Sequence, residues 1–365
     1  MSDTDALHNR DVWAKWKSKE DNFAKYKPIR STLIYGDPAQ EKPTVSIAIP
    51  AYRKAGGLKG ALDSALGQDY DLPYEIVVVD DSGFDQQIDD LMKEYCREYQ
   101  NILYYRNDDN LGVYGNWNRL CELCRTDWYC MLHDDDRMRP DYLSTCVSTV
   151  SQLPATVGLM GIYIETFDAI TNEVRNTLID KLVGIFISMR SGKPIRMSIK
   201  DNAKYIFALA CCMFISREKF IEIGGFNDEF YPSSDLVLTA KMNYYYDTVF
   251  LPVILSERGV GINNSLKQSL CDASVRAAYD LTMELTKELG KSPKKQKRKA
   301  SFAAVIAEIA VRGYNNVDYS DVKSSLGMKN VYNKSFVVNF INLYSKFNWG
   351  LLLFRGGMKP GRSSP

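Results

Sequence analysis

Three adjacent carboxylates, Asp134-Asp135-Asp136, follow the apolar run DWYCML (127–132). Side by side at the end of a buried strand such groups repel one another, and a divalent cation relieves the repulsion. Hard oxygen ligands suit magnesium or manganese, and a cation held by one or two carboxylates plus substrate phosphates belongs to diphosphate chemistry. Asp80-Asp81 close a second apolar run, EIVVV (75–79). A carboxylate there can accept hydrogen bonds from a nucleobase imide or a ribose hydroxyl. The bland alternatives are a solvated acidic turn before the helix that Pro140 opens and a plain Asp-Ser-Gly turn. Two acidic clusters at the ends of sister strands weigh against the first of these.

The elements that must position these groups alternate along the chain. VSIAIP (45–50), EIVVVDD (75–81), NILYYR (101–106) and DWYCML (127–132) read as strands, while 56–68, 88–99 and 114–125 carry helical spacing. Strands separated by helices of about 12 residues predict an α/β fold with a mostly parallel sheet and helices on both faces. Ligands of such sheets sit beyond the carboxyl ends of the strands. Pro50 to Tyr52, Asp80 to Gly83, Arg106 to Gly112 and His133 to Asp136 then share one rim. A second block follows, with a strand at 158–168, a partly basic loop at 181–202 and an apolar run at 206–215 leading into REKFIEIGGF (217–226). A helix at 233–242 and a strand at 248–252 come next, then helices at 273–289, 300–312 and 334–354.

With 365 residues, 45% hydrophobic and 25% charged, the chain is neither collagen-like, nor wholly disordered, nor a small disulfide scaffold. Its eight cysteines follow no framework spacing, so reduced thiols are expected. Cys121 and Cys124 fall on a helix with no second pair at zinc spacing and read as core. The longest apolar run, Tyr205 to Ile215, has eleven residues, against the roughly 20 a membrane-spanning helix needs. The charged N-terminus lacks the apolar core of a secretory signal. From Lys287 onward 15 Lys/Arg face 4 Asp/Glu, so a basic C-terminal part follows an acidic body.

The motifs VSIAIPAY, EIVVVDDSG, NDDNLGVYGNWN, LHDDDRMRPDYL, FISREKFIEIGGF and SDLVLTAKM, in this order, resemble the inverting glycosyltransferases of family 2, with the GT-A fold, of a bacterial surface-polysaccharide type. The resemblance covers about residues 44–265, leaving 1–43 as an N-terminal helical and linker segment and 266–365 as a helical C-terminal region. It implies a nucleotide-diphosphate-sugar donor, a UDP-sugar first among them, a Mn2+ or Mg2+ cofactor and displacement at the anomeric carbon. Carried over by position, Pro50, Tyr52, Asp80 and Asp81 would lie along the nucleobase. Arg106, Asn110 and Gly112 would line its loop, and Asn118 would support the donor. Asp134 would face the ribose, with Asp135 and Asp136 on the metal. The base would be Asp235, after the Gly224-Gly225-Phe226 turn.

Two departures stand out. The Glu-Asp pair of the family reads Ser234-Asp235, and no histidine occurs in Ser256 to Ser265, where relatives often complete the metal site. His133 itself is read as a rim residue. A helix N-cap at Ser233 or Ser234 is the plain alternative to a catalytic Asp235. The C-terminal stretch 334–354 has helical apolar spacing broken by polar residues and flanked by Lys and Arg. It fits either an interfacial helix on an anionic membrane or docking on the catalytic domain. A glycan or lipid-linked acceptor, and a cytoplasmic chain peripheral to the inner face of the plasma membrane, suit the former. KSPKKQKRK (291–299) is read as a solvated basic loop, with no nucleic-acid motif beside it. The competing functions are a sugar nucleotidyltransferase, using Arg53 and Lys54 at the phosphates, and a non-catalytic scaffold of a glycan-assembly complex.

Overall fold

The structure, a computed structural model, describes residues 10–38, 41–168, 192–204, 212–260, 268–312, 319–335, 337 and 339–341. Two 3-10 turns, Arg10–Lys15 and Ala24–Tyr26, precede β1 (Ser31–Tyr35), β2 (Val45–Ala51), α1 (Ala55–Leu66), β3 (Tyr74–Asp80) and α2 (Gln86–Glu98). Then come β4 (Ile102–Asn107), α3 (Gly112–Leu123), β5 (Trp128–Met131), β6 (Asp136–Met138) and α4 (Tyr142–Val150). The second block holds β7 (Val157–Asp168), β8 (Ile195–Met197), α5 (Ile199–Asn202), β9 (Phe214–Ser216), α6 (Arg217–Glu222), a 3-10 turn at Asp228–Phe230, α7 (Ser234–Tyr245) and β10 (Asp247–Val260). Helices α8 (Gln268–Glu288), α9 (Pro293–Arg312) and α10 (Ser320–Ser325) follow, with a last turn at Asn330–Asn333.

Among the described residues all ten strands belong to one mixed sheet, ordered β1-β4-β3-β2-β5-β9-β7-β10-β6 with β8 beside β10. The β4-β3-β2-β5 half is parallel, and β7 and β10 form a second parallel pair. The parallel strands are apolar on both faces because each face has its own core. Ile47, Ile49, Ile76, Val78, Cys130 and Leu132 pack with Leu58, Ala61 and Leu62 of α1. Their alternates Ala48, Val77, Val79, Tyr129 and Met131 pack with Leu120 and Cys121 of α3, as the two-residue period of a strand requires. Local chemistry sets the helix starts. Asp85 caps α2, its carboxylate accepting from the N–H groups of Gln87 and Ile88 at 3.0 and 3.2 Å, an arrangement that stabilises a helix by about 1 kcal/mol.

The N-terminal segment differs from a helical linker. Ser31–Tyr35 is an edge strand antiparallel to β4, its Thr-Leu-Ile-Tyr core suited to a pleated surface but too short to announce itself. Ahead of it, Trp13 and Trp16 are buried with Phe230, Leu236, Ala277 and Leu281, wedged between α7 and α8. β10 runs on to Val260, well past the expected strand at 248–252, because β7, β8 and β6 all pair with it. The basic run 291–299 lies largely in α9 rather than in a loop. No helix among the described residues is long and apolar enough to cross a membrane. Most of the stretch 334–354, and the loop at 181–191, lie outside the described residues.

Candidate active site

The register brings the strand ends to one rim. Ala51 stands opposite Asp80, and Asp80 opposite Arg106. Buried Asp80 accepts from the Ser82 N–H at 2.9 Å and the Tyr104 hydroxyl at 2.8 Å, with Arg106 Nε 4.0 Å away. Arg106 also donates to Asp89. Buried Asp81 organises the next loop: its Oδ1 accepts from Asn107 Nδ2 and the Leu111 N–H, both at 2.8 Å, and its Oδ2 from the Gly112 N–H at 3.0 Å. Asn110 Nδ2 donates to the Asp81 carbonyl at 3.0 Å. Asp81, Asn110 and Gly112 thus form one unit, with Gly112 at a positive φ of 72° that favours glycine. Burial pushes the Asp81 carboxyl above its ordinary range, and these donors pull it back. Asn107, one of the expected rim residues, is joined to Asn116 by a 3.0 Å hydrogen bond; Asn116, inside a helix, carries no signal in the sequence that sets it in this network. Pro50 is half-buried in β2, and exposed Tyr52 follows it with the Arg53 guanidinium 5.0 Å from its ring.

The acidic triplet is divided between a loop and a strand. Asp134 and Asp135 lie in the turn after β5, whereas Asp136 opens β6 opposite Arg258 of β10. Two glycines make room for that turn. A Cβ on Gly57 would lie 2.4 Å from the Asp134 carbonyl oxygen, and one on Gly259 would lie 2.2 Å from that of Asp135. Asp136 is tied back by the Gly259 N–H, which donates to its Oδ1 at 2.9 Å. Lys54 Nζ stands 3.6 Å from Asp135. Burial, and next the charge of Asp135, push the Asp134 carboxyl up to about 7, against the pull of Lys54 and a hydrogen bond from the Tyr52 backbone.

His133 completes the turn. Its ring stacks on Trp117 at 4.8 Å, and its Nδ1 lies 3.6 Å from Asp136 Oδ2. Burial holds its pKa down to about 4, so the imidazole is neutral at pH 7. Donor atoms of His133, Asp135 and Asp136 all fall within 4.8 Å of one another. Nε2 of His133 is buried without a hydrogen-bond partner. Clustered oxygen donors, a carboxyl whose charge burial opposes and an unpartnered ring nitrogen fit a divalent cation.

Asp235 belongs to the same neighbourhood. It sits in the first turn of α7, and the positive charge of Arg258 acts on both Asp235 and His133. Burial raises the Asp235 carboxyl to about 6, against the Leu236 N–H and Arg258. Neither serine beside it caps the helix with its side chain: Ser233 makes no cap bond, and Ser234 Oγ accepts from the Asn227 N–H at 2.9 Å. The Ser234 N–H donates to the Tyr114 hydroxyl at 3.0 Å. Tyr114 stacks on Phe226, and Trp117 meets that ring edge-on, so one aromatic cluster joins the His133 turn to the start of α7.

Asn118 stands apart from the rim loops. Its side chain is occupied by Phe226, donating to the carbonyl and accepting from the N–H, both at 2.9 Å. It braces the Gly224-Gly225-Phe226 turn from which α7 is reached. Lys241 is buried and donates to the Ile223 carbonyl just before that turn, burial lowering its pKa to about 8.

Gly259→Ala tests whether close packing holds the acidic turn. The added methyl must displace Asp135, costing about 1–3 kcal/mol of stability. A melting temperature equal to wild type would show that the contact is not a constraint.

Residues 46–224 match the family model described as Glycosyl transferase family 2. The chain is 33% identical over 115 residues to an uncharacterised protein of Mycobacterium tuberculosis, covering 32% of this chain and 34% of that one. It is 27% identical over 119 residues to the glucosyl-dolichyl phosphate glucuronosyltransferase of Haloferax volcanii, covering 32% and 37%. The chain thus spans about a third of the length of these curated relatives. Among solved structures it is similar to the mannosyltransferase PcManGT from Pyrobaculum calidifontis in complex with GDP-Man and Mn2+. The TM-score is 0.51 at 15% identity, covering 96% of this chain and 93% of that one. It is also similar to S. aureus TarS 1–349 in complex with UDP, with a TM-score of 0.50, 14% identity and coverage of 85% and 90%. At these identities the likeness is one of fold, and the fold is GT-A-like.

Proposed function

From the premise that residues 46–224 carry a glycosyl transferase family 2 domain, we propose that the chain is a metal-dependent inverting glycosyltransferase. It moves a sugar from a nucleotide-diphosphate donor, a UDP-sugar by preference, to a hydroxyl of a glycan or lipid-linked glycan. The observation that carries this reading is that one aromatic cluster joins the His133 turn to the start of α7, where Asp235 sits, and that the charge of Arg258, opposite Asp136 in the sheet, acts on both Asp235 and His133. A base and a candidate cation-holding group share one neighbourhood beyond the sheet.

The nucleotide end of the donor lies along Pro50, Tyr52, Asp80, Asp81, Arg106, Asn110 and Gly112, with Asp134 toward the ribose. Asn118 contributes through the turn it braces. Asp135 and Asp136 would hold a Mn2+ or Mg2+ ion, which when bound neutralises the departing diphosphate. Asp235 takes the proton of the acceptor hydroxyl as that oxygen bonds to the anomeric carbon. The bond from that carbon to the phosphate oxygen breaks, and its electrons leave with the nucleotide diphosphate. Approach from the opposite face inverts the configuration. A carboxyl with its pKa near 6 is well matched to this task, because it is ionised at neutral pH yet more basic than an ordinary aspartate.

Calorimetric titration of UDP, GDP and dTDP, with manganese and with chelator, tests the donor site. Binding of one nucleotide that disappears with chelator is expected. No binding of any of them under either condition would overturn the reading in favour of a non-catalytic scaffold. Release of inorganic pyrophosphate from a nucleoside triphosphate would favour a nucleotidyltransferase.

A further inference from the structure

The metal site proposed above leans on two carboxylates, and one of them is partly committed elsewhere. Asp136 opens a strand, and its Oδ1 already accepts the Gly259 N–H at 2.9 Å. Asp135 lies opposite Lys54 at 3.6 Å. The third group, His133, has its Nε2 buried with no hydrogen-bond partner, although 23% of the side chain remains accessible. A buried ring nitrogen without a partner costs free energy on the order of 1–3 kcal/mol unless something else satisfies it. Stacking on Trp117 at 4.8 Å with the planes 25° apart fixes the ring's orientation, so the ring keeps its place beside the two carboxylates.

Resting on the glycosyltransferase reading and deepening it, we propose that His133 is a metal ligand, completing a His-Asp-Asp donor set with Asp135 and Asp136. The site therefore takes manganese or another first-row divalent ion in preference to magnesium. An imidazole nitrogen suits iron, nickel, copper and zinc, and magnesium favours oxygen donors; manganese is content with oxygen as well, but as a transition ion it accepts a nitrogen donor more readily than magnesium does. A purely structural histidine, stacked on Trp117 and no more, would leave metal choice to the carboxylates.

The test uses the full chain with UDP and manganese(II), read by pulsed electron paramagnetic resonance. Imidazole nitrogen coupling to the bound manganese is expected, changing when histidine is labelled with 15N. The sequence has two histidines, so a His8→Gln background leaves His133 as the sole labelled ring. His133→Asp should abolish the coupling while manganese still binds, and lower the preference for manganese over magnesium. Manganese bound without nitrogen coupling would overturn the ligand assignment alone, leaving a carboxylate site intact. Unchanged metal preference in His133→Asp would do the same. Failure of the unaltered chain to bind any divalent ion with any nucleotide would overturn this inference together with the metal-dependent reading beneath it. If His133→Asp does not fold, the labelled chain still decides the matter.

Discussion

Asp235→Asn should lower sugar transfer by about 100- to 10,000-fold, the range over which a positioned general base contributes, while donor affinity stays near that of the parent chain. The substitution keeps the size of the side chain and an oxygen that can still accept the 2.9 Å hydrogen bond from the Leu236 N–H. What it removes is the capacity to take a proton. The pH dependence supplies a second reading of the same role. Burial raises this carboxyl to about 6, and only its ionised form can act as base. Transfer by the parent chain should therefore fall as pH drops through about 6, by about tenfold per unit at the acid end. The residual rate of the Asn variant should lack that limb. Full turnover by Asp235→Asn, or the same acid limb in both proteins, would remove Asp235 from the mechanism.

Asp135→Ala should remove metal-dependent nucleotide binding, with a loss of about 10–100-fold or more in metal affinity, since perturbing even a ligand's supporting partner costs that much. The ion-free protein should behave in the opposite sense. Asp135 is the largest charge opposing ionisation of Asp134, after burial itself. Its removal relieves repulsion within the turn, although it also leaves Lys54 without this partner. Thermal unfolding separates the two effects. With chelator, the variant should melt at or above the parent's temperature. With manganese and UDP, the parent should gain stability by mass action, about 2.7 kcal/mol when the ligand is at 100 times its dissociation constant. The variant should gain little. Equal stabilisation of both proteins by manganese and UDP would refute the role of Asp135.

Some of this architecture was readable because it is local. A buried parallel strand must be apolar on both faces, so VSIAIP, EIVVV and DWYCML stand out without any partner being known. The polar residue that ends each such run marks the carboxyl edge. Asp80 and Arg106 stand at the ends of their strands, and Asp81 ties Asn110 and Gly112 to the segment that follows β3. The short β1 escaped notice because five residues bearing no distinctive alternation gain their structure from β4, some 70 residues further on. Asn118 shows the limit of positional inference: its helix was foreseen, but not that both ends of its amide are taken by Phe226.

By itself, then, the sequence determined the α/β alternation, the apolar strands and the order of polar residues at their ends, because each depends on residues near one another in the chain. Tertiary structure alone decided how the acidic triplet is divided and what surrounds it. Asp136 is held by a glycine 123 positions away, and Gly57 and Gly259 admit the backbone of Asp134 and Asp135 at distances no side chain would allow. Arg258 reaches both the His133 turn and Asp235 because β10 pairs with β6 at the register that sets Arg258 opposite Asp136. Close approach, burial and long-range register depend on where separate segments meet in space, and residue type along a single segment carries no record of that meeting.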